Sequence, residues 1–170
     1  VPADAYEIKV TGQKWFWSFS YPNGTTSVNE LVVPEDRPIK LLMSSNDVIH
    51  SFYVPDFRIK MDVVPNRYTI TWFEASDKGA HNLFCAEYCG TSHWDMIGEV
   101  RVVNEREFNE LLESSLMSVE GMAPEELGAA LYKSKACNTC HNIDGSANTG
   151  PALNGIFGET HAMADGSQVL

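Results

Sequence analysis

The twelve residues CAEYCGTSHWDM, from Cys85 to Met96, set two cysteines, a histidine and a methionine at near-regular gaps. Thiolate, thioether and imidazole together select a soft or borderline metal, and copper accepts all three. Two other readings compete for the same spacing. Positions i, i+4, i+8 and i+11 also trace one buried stripe of an α-helix. Gly90, Thr91 and Ser92 in the middle are weak helix formers, however, and the flanking runs HNLFC and IGEVRVV read as strands. A Cys85–Cys89 disulfide suits an oxidising compartment but leaves His93 and Met96 without a task.

A mononuclear blue copper site needs a single cysteine. Two cysteines four apart, each able to bridge, let two coppers share both sulfurs, and each metal then needs one histidine and one weak axial donor. The cluster supplies only His93, so a second histidine must come from elsewhere. His50, in NDVIHSFYVP, is expected at the end of a strand-like run and is followed by aromatic residues that would exclude water. His81 is the competitor; it lies in the polar stretch SDKGAHN, where a solvated surface position is expected.

A second constellation, CNTCH, carries different chemistry. Cys-x-x-Cys-His is the attachment sequence for c-type haem, with Cys137 and Cys140 forming thioethers and His141 giving an axial nitrogen. A thioredoxin-like redox pair would gain nothing from His141, and a zinc site would need a second ligand pair.

The elements that must position these residues differ on the two sides of residue 120. YEIKVTG, KWFWSFSY, IKLLMSS, YTITWFEA and IGEVRVV are rich in β-branched and aromatic residues and are separated by turn signals such as YPNGT and PEDRP. Pro34, Pro38, Pro55 and Pro65 fall at the edges of such runs, where a missing amide hydrogen does least harm. Residues 1–119 are therefore expected to form an all-β sandwich or barrel closed by one short helix. That helix is NEREFNELLESSLM, with Asn104 as N-cap and Phe108, Leu111, Leu112 and Leu116 at helical spacing. Within the first sheet Trp15, Trp17 and Phe19 are expected on one face and Phe16 on the other. Residues 120–170 then begin with a linker through Gly121 and Pro124, followed by the amphipathic helix PEELGAALYKSKA.

Composition bounds the function. The 170 residues are 44% hydrophobic and 21% charged, enough for one ordinary core and a small appendage. A formal charge of -11 argues against nucleic acid and for basic protein partners or simple solubility. No run approaches the ~18 apolar residues of a membrane span. The start at Val1 leads us to expect a processed or cloned piece whose membrane anchor lies outside this sequence.

CAEYCGTSHWDM resembles the Cys-x-Glu-x-Cys-Gly-x-x-His-x-x-Met motif of the binuclear copper (CuA) domain of cytochrome c oxidase subunit II, at all six defining positions. The resemblance extends through VTGQKWFWSFSY, DVIHSFYVP and FRIKMDVVPNRY, covering about residues 6 to 118 in family order. It implies a cupredoxin-like Greek-key β-sandwich. It further implies His50 and His93 as one histidine per copper, Cys85 and Cys89 as bridges, Met96 as a weak axial ligand, and Glu87 as a ligand through its backbone carbonyl. The Glu87 carboxylate would point toward a magnesium site shared with subunit I and be solvated in the isolated chain. Trp15 matches the exposed aromatic through which electrons arrive from cytochrome c, core packing being the alternative. Asn66 stands where the family commonly has glycine, in a turn that asparagine tolerates.

TGPALNGIFG, after the haem sequence, resembles the Gly-Pro-x-Leu-x-Gly segment of class I cytochromes c, in which the proline, here Pro151, helps orient the axial histidine. Only 47 residues run from Pro124 to Leu170, so this part is expected to be an incomplete cytochrome c domain. Neither Met163 nor His161 is a convincing sixth ligand, which is expected beyond residue 170. The whole resembles subunit II of a bacterial caa-type oxidase. That implies electron transfer from cytochrome c or a tethered haem c, through the copper pair, to haem in subunit I. It also implies a periplasmic or outer-surface location and a membrane anchor in the parent protein. Nitrous-oxide and nitric-oxide reductases carry the same copper motif; the fused haem c and the order of segments argue against the first. A copper-delivery protein would need exposed, exchangeable ligands for one copper and would release it quickly to a chelator.

Overall fold

The computed structural model describes residues 1–117, 123–135, 137–162 and 166–169. It divides into two compact units, Val1–Lys135 and Ala136–Leu170. The join expected near residue 120 lies outside the described residues, as does Met163.

The first unit is a sandwich of two five-stranded sheets. One has the order β3-β2-β1-β5-β8, built from β1 (Tyr6–Gln13), β2 (Phe16–Ser20), β3 (Thr26–Val28), β5 (Ile39–Ser45) and β8 (Thr69–Phe73). The other has the order β4-β10-β9-β6-β7, built from β4 (Glu30–Pro34), β6 (His50–Val54), β7 (Ile59–Val63), β9 (Gly79–Cys85) and β10 (Ile97–Val103). Most neighbours are antiparallel, but β1 runs parallel to β5 and β4 parallel to β10. This is the cupredoxin-like sandwich that the sequence implied.

Alternation puts the core where the patterns require it. Ile8 and Val10, Trp17 and Phe19, and Ile39, Leu41 and Met43 all point between the sheets and are fully or almost fully buried. β6 does not alternate: His50, Ser51 and Phe52 are all buried, with Ser51 Oγ donating to Asp62 Oδ1 at 2.8 Å. Beyond β2, the Tyr21 hydroxyl accepts from Val32 N–H (2.8 Å) and donates to Val32 O (3.0 Å), pinning one sheet to the other.

α1 (Glu105–Met117) closes the sandwich as expected. Asn104 Oδ1 caps it by accepting from Glu107 N–H at 2.9 Å, and Phe108 and Leu112 are buried against the sheets. α2 (Pro124–Ser134) starts on its proline, which fits the first turn because that position needs no amide hydrogen. The second unit holds a 3-10 turn, Cys137–Thr139, and a short ladder of β11 (His161–Ala162) with β12 (Gln168–Val169). Among the described residues no helix is long and apolar enough to cross a membrane.

Candidate metal centre

The stretch from 85 to 96 is neither a helix stripe nor a disulfide loop. β9 ends on Cys85, residues 86–92 form a loop, a 3-10 turn covers His93–Asp95, and β10 starts at Ile97. Cys85 N–H donates to Met96 O at 3.2 Å, so the two ends of the loop are held together at the end of a hairpin. Gly90 turns the loop with φ +121°, a conformation that side chains strain to adopt, and a Cβ there would meet the Trp15 indole at 3.2 Å.

His50 opens β6 rather than ending a strand, a correction that follows from the polar turn before it, where Asp47 Oδ1 accepts from Val48 N–H. Register then does the rest: Phe52 pairs with Cys85 across β6 and β9, so the start of β6 lies beside the end of β9. The His50 ring is fully buried and lies edge-on to Trp17, at 5.9 Å between centroids. Gly12 makes room for it, since a Cβ on that residue would stand 2.9 Å from His50 Cδ2.

The fold thereby gathers six of the expected donors. Cys85 Sγ and Cys89 Sγ are 3.8 Å apart as free thiols. His50 Nδ1 lies 3.9 Å from Cys85 Sγ, and His93 Nδ1 lies 3.5 Å from Cys89 Sγ. Glu87 O is 3.2 Å from Cys85 Sγ, and Met96 Sδ is 3.7 Å from Cys89 Sγ. Tetrahedral bonds of about 2.3 Å to sulfur and about 2.0 Å to nitrogen place two sulfurs about 3.8 Å apart and a sulfur and a nitrogen about 3.5 Å apart. The donor set thus fits metal ions held between the sulfurs, and His50, Cys85 and Cys89 alone already form a compact ligating group. Burial is the largest single influence on the Cys85 thiol and raises it, but hydrogen bonding by His50 and His93 and by the backbone at Ser51 and Glu87 together outweighs burial and favours the thiolate. Burial and the charge on Cys85 then push the Cys89 thiol up. An uncompensated pair of thiolates is resisted here, and cations between them would relieve that resistance.

Other expected residues are placed differently. Trp15 does not share a strand face with Trp17 and Phe19; it sits in the turn between β1 and β2, half-buried. Its indole Nε1–H donates to Cys89 O at 3.3 Å. His81 is not a solvated surface histidine. It lies in β9 with Nδ1 2.8 Å from Asp56 Oδ2 and Nε2 2.9 Å from Asp77 O, tilted against Phe57 and away from the thiols. The Glu87 side chain is exposed, as expected for the isolated chain. Asn66 adopts φ 60°, the left-handed turn its position asks for.

Sequence reasoning missed Asp47. His50 Nε2 is 2.8 Å from Asp47 Oδ1, and the only signal was an acid three residues before the histidine in NDVIH.

In the second unit the expected haem residues keep their local arrangement. His141 N–H and Cys140 N–H both bond to Cys137 O, and His141 Nδ1 lies 2.8 Å from Pro151 O. Gly150 passes so close beneath the ring that a Cβ would come within 2.5 Å of His141 Cε1. Ile143 and Phe157 are exposed, Phe157 completely.

A two-sheet sandwich that collects thiols, imidazoles and a thioether at one end is a cupredoxin-like domain with a donor set that could hold metal. A family model described as the periplasmic domain of cytochrome c oxidase subunit II matches residues 24–103. The chain is 35% identical over 144 residues to the alternative cytochrome c oxidase subunit 2 of Bradyrhizobium diazoefficiens, covering 66% of this chain and 52% of the relative. It is 33% identical over 163 residues to cytochrome c oxidase subunit 2 of Alkalihalophilus pseudofirmus, covering 92% of this chain and 47% of that protein. It therefore spans about half the length of these relatives. The crystal structure of the periplasmic domain of subunit II (CoxB) of Bradyrhizobium japonicum superposes with a TM-score of 0.66 at 33% identity, over 69% of this chain and 98% of that one. The same domain captured in a mixed disulfide with the thioredoxin-like protein TlpAs gives a TM-score of 0.63 at 32% identity, over 69% of this chain and 95% of that one. The chain belongs to the cytochrome c oxidase subunit II family.

Proposed function

We propose that this chain is the electron relay of a haem-copper terminal oxidase, built on a binuclear copper centre. His50, Cys85, Cys89 and His93 hold the metals, and Met96 Sδ and the Glu87 carbonyl are weak further ligands. The observation that carries the reading is the sulfur pair 3.8 Å apart with an imidazole nitrogen beside each sulfur. When bound, the copper pair supplies a one-electron site whose charge is spread over two metals through shared thiolates. The chain's own residues keep that site rigid and dry. Trp17 and Phe52 are fully buried behind His50, and Cys85, Cys89 and Met96 are nearly closed to solvent. Donors fixed this way move little when the charge changes, and small reorganisation makes transfer fast.

Electrons enter near Trp15, from a cytochrome c or from haem c on Cys137, Cys140 and His141, and leave to haem in subunit I, where oxygen is reduced to water. The indole bonded to Cys89 O supports this route, because it links half-exposed surface directly to a ligand's backbone. The exposed Glu87 carboxylate is free to meet the magnesium site at the subunit I boundary. The domain works on the periplasmic or outer face of a bacterial plasma membrane, anchored there in the parent protein, in line with the family's description as a periplasmic domain. The Alkalihalophilus match, covering 92% of this chain, takes in part of the second unit, so the similarity is not confined to the sandwich. The mixed disulfide of the related domain favours one more partner: before metal loading, a thioredoxin-like reductase that keeps Cys85 and Cys89 as thiols.

Copper analysis and electron spin resonance of the loaded 170-residue chain test the reading. We expect two coppers per chain and a mixed-valence signal shared over two nuclei. One copper with an ordinary four-line pattern would overturn it.

A further inference from the structure

The two histidines of the centre are not equivalent. His50 is fully buried, and its Nε2 meets the Asp47 carboxylate, an acceptor only, so Nε2 carries the proton and Nδ1 turns its lone pair toward Cys85. That carboxylate is itself pinned. Its Oδ1 also takes Val48 N–H at 2.6 Å, and its Oδ2 takes Lys14 N–H at 2.8 Å from the turn between β1 and β2. The next residue in that turn, Trp15, grips Cys89 O. One turn that offers no ligand therefore holds both arms of the site, His50 through Asp47 and Cys89 through the indole. His93 is half-buried at the edge of Tyr88, and among the described residues no carboxylate is hydrogen-bonded to it.

We infer that Asp47 is a positioning residue that makes the two coppers electronically unequal, by fixing the tautomer of His50 and placing a carboxylate behind its imidazole. This rests on the two-copper reading above. A carboxylate behind a metal-bound imidazole strengthens it as a donor and adds negative charge near the metal, and both stabilise the oxidised state. The copper bound by His50 accordingly carries more of the positive charge.

The test uses the copper-loaded 170-residue chain, first unsubstituted, so that fewer than two coppers there refutes the two-copper reading before Asp47 is touched. In Asp47→Asn, which keeps an acceptor for Nε2–H but loses the charge, we expect two coppers, a midpoint potential shifted upward, and hyperfine couplings to the two nuclei that move toward equality. In Asp47→Ala we expect chelator competition to show copper held roughly ten- to a hundredfold more weakly. If Asp47→Asn lowers only the melting temperature and leaves potential and couplings at parental values, the carboxylate is merely structural and the inference fails. Should both variants misfold, the unsubstituted chain still decides: proton resonance in heavy water should show a slowly exchanging His50 Nε2–H and a fast-exchanging His93 ring N–H. Equal exchange rates overturn the inference.

Discussion

Cys85 meets His50 across 35 residues of chain inside a packed sandwich, whereas Cys137, Cys140 and His141 lie within five consecutive residues of a unit that leaves Ile143 and Phe157 facing solvent. The first site is assembled by strand register and is complete only when β6 lies beside β9. The second is assembled by one turn and by local bonds, His141 Nδ1 with Pro151 O and Gly150 N–H to Cys140 O among them. A long-range site has its ordering cost met by the core before any metal arrives, so its donors stand ready. A local site can form early in a short chain, but so short a unit buries little core of its own.

The sharpest way to break that contrast is Cys89→Ser. If the core and not the metal holds the copper end, copper should fall from two to at most one with a four-line spin resonance signal. The metal-free chain should lose only about 1 kcal/mol in a urea titration, the ordinary cost of a small buried polar change. Collapse of the apo fold would show that the site is not preformed.

Gly150→Val addresses the other side. A Cβ there comes within 2.5 Å of the His141 ring, so the ring must leave Pro151 O. After expression with the haem-attachment machinery, we expect covalent haem on a denaturing gel to drop several-fold while the copper signal stays parental. A change in both would mean that the two sites are not independently built.

How much of this could be read from the chain follows the same division. β1, β2, β5, β8, β9 and β10 announce themselves because one face is core and the other solvent, and α1 shows its apolar stripe and its Asn104 cap. β6 is hidden because His50, Ser51 and Phe52 are all buried, which erases the period of two, β4 because Leu31 through Pro34 are all buried, and β3 because three residues are too few to display one. The donors themselves are legible as residue types at a spacing. What spacing cannot convey is the support around them: Gly12 under His50, the Lys14 amide on Asp47, and the Trp15 indole on Cys89 are contacts between segments far apart in the chain. Trp15 departs from the strand face that alternation assigns it because a hairpin turn of two residues, Lys14 and Trp15, interrupts the period.

Tyr21→Phe probes whether the copper end depends on the far end of the sandwich. The lost hydroxyl leaves the buried Val32 N–H and C=O without their partner, a cost of about 1–3 kcal/mol in denaturant. Because Tyr21 lies past the end of β2, away from the Trp17 contact with His50, the spin resonance spectrum should not change.

The smallest effect is a pH dependence at His81, the histidine that the copper centre does not use. Burial by itself lowers its pKa, but the bonds to the Asp56 carboxylate and the Asp77 carbonyl together outweigh burial and leave it raised. A raised folded pKa means that the protonated ring stabilises the fold. That contribution is complete below the unfolded value of about 6.5 and is lost as pH climbs through the folded one. Arg58 and Glu74 line the same hollow, and their opposite charges leave the two aspartates as the groups that hold the proton. In the copper-loaded chain, with His50 and His93 in their proposed roles as ligands, the stability gap between the parent and His81→Gln should therefore be widest near pH 5.5 and shrink by pH 8.5. A gap that stays constant across that range would mean His81 serves only through packing on Phe57, and one that widens toward alkaline pH would reverse the assigned protonation.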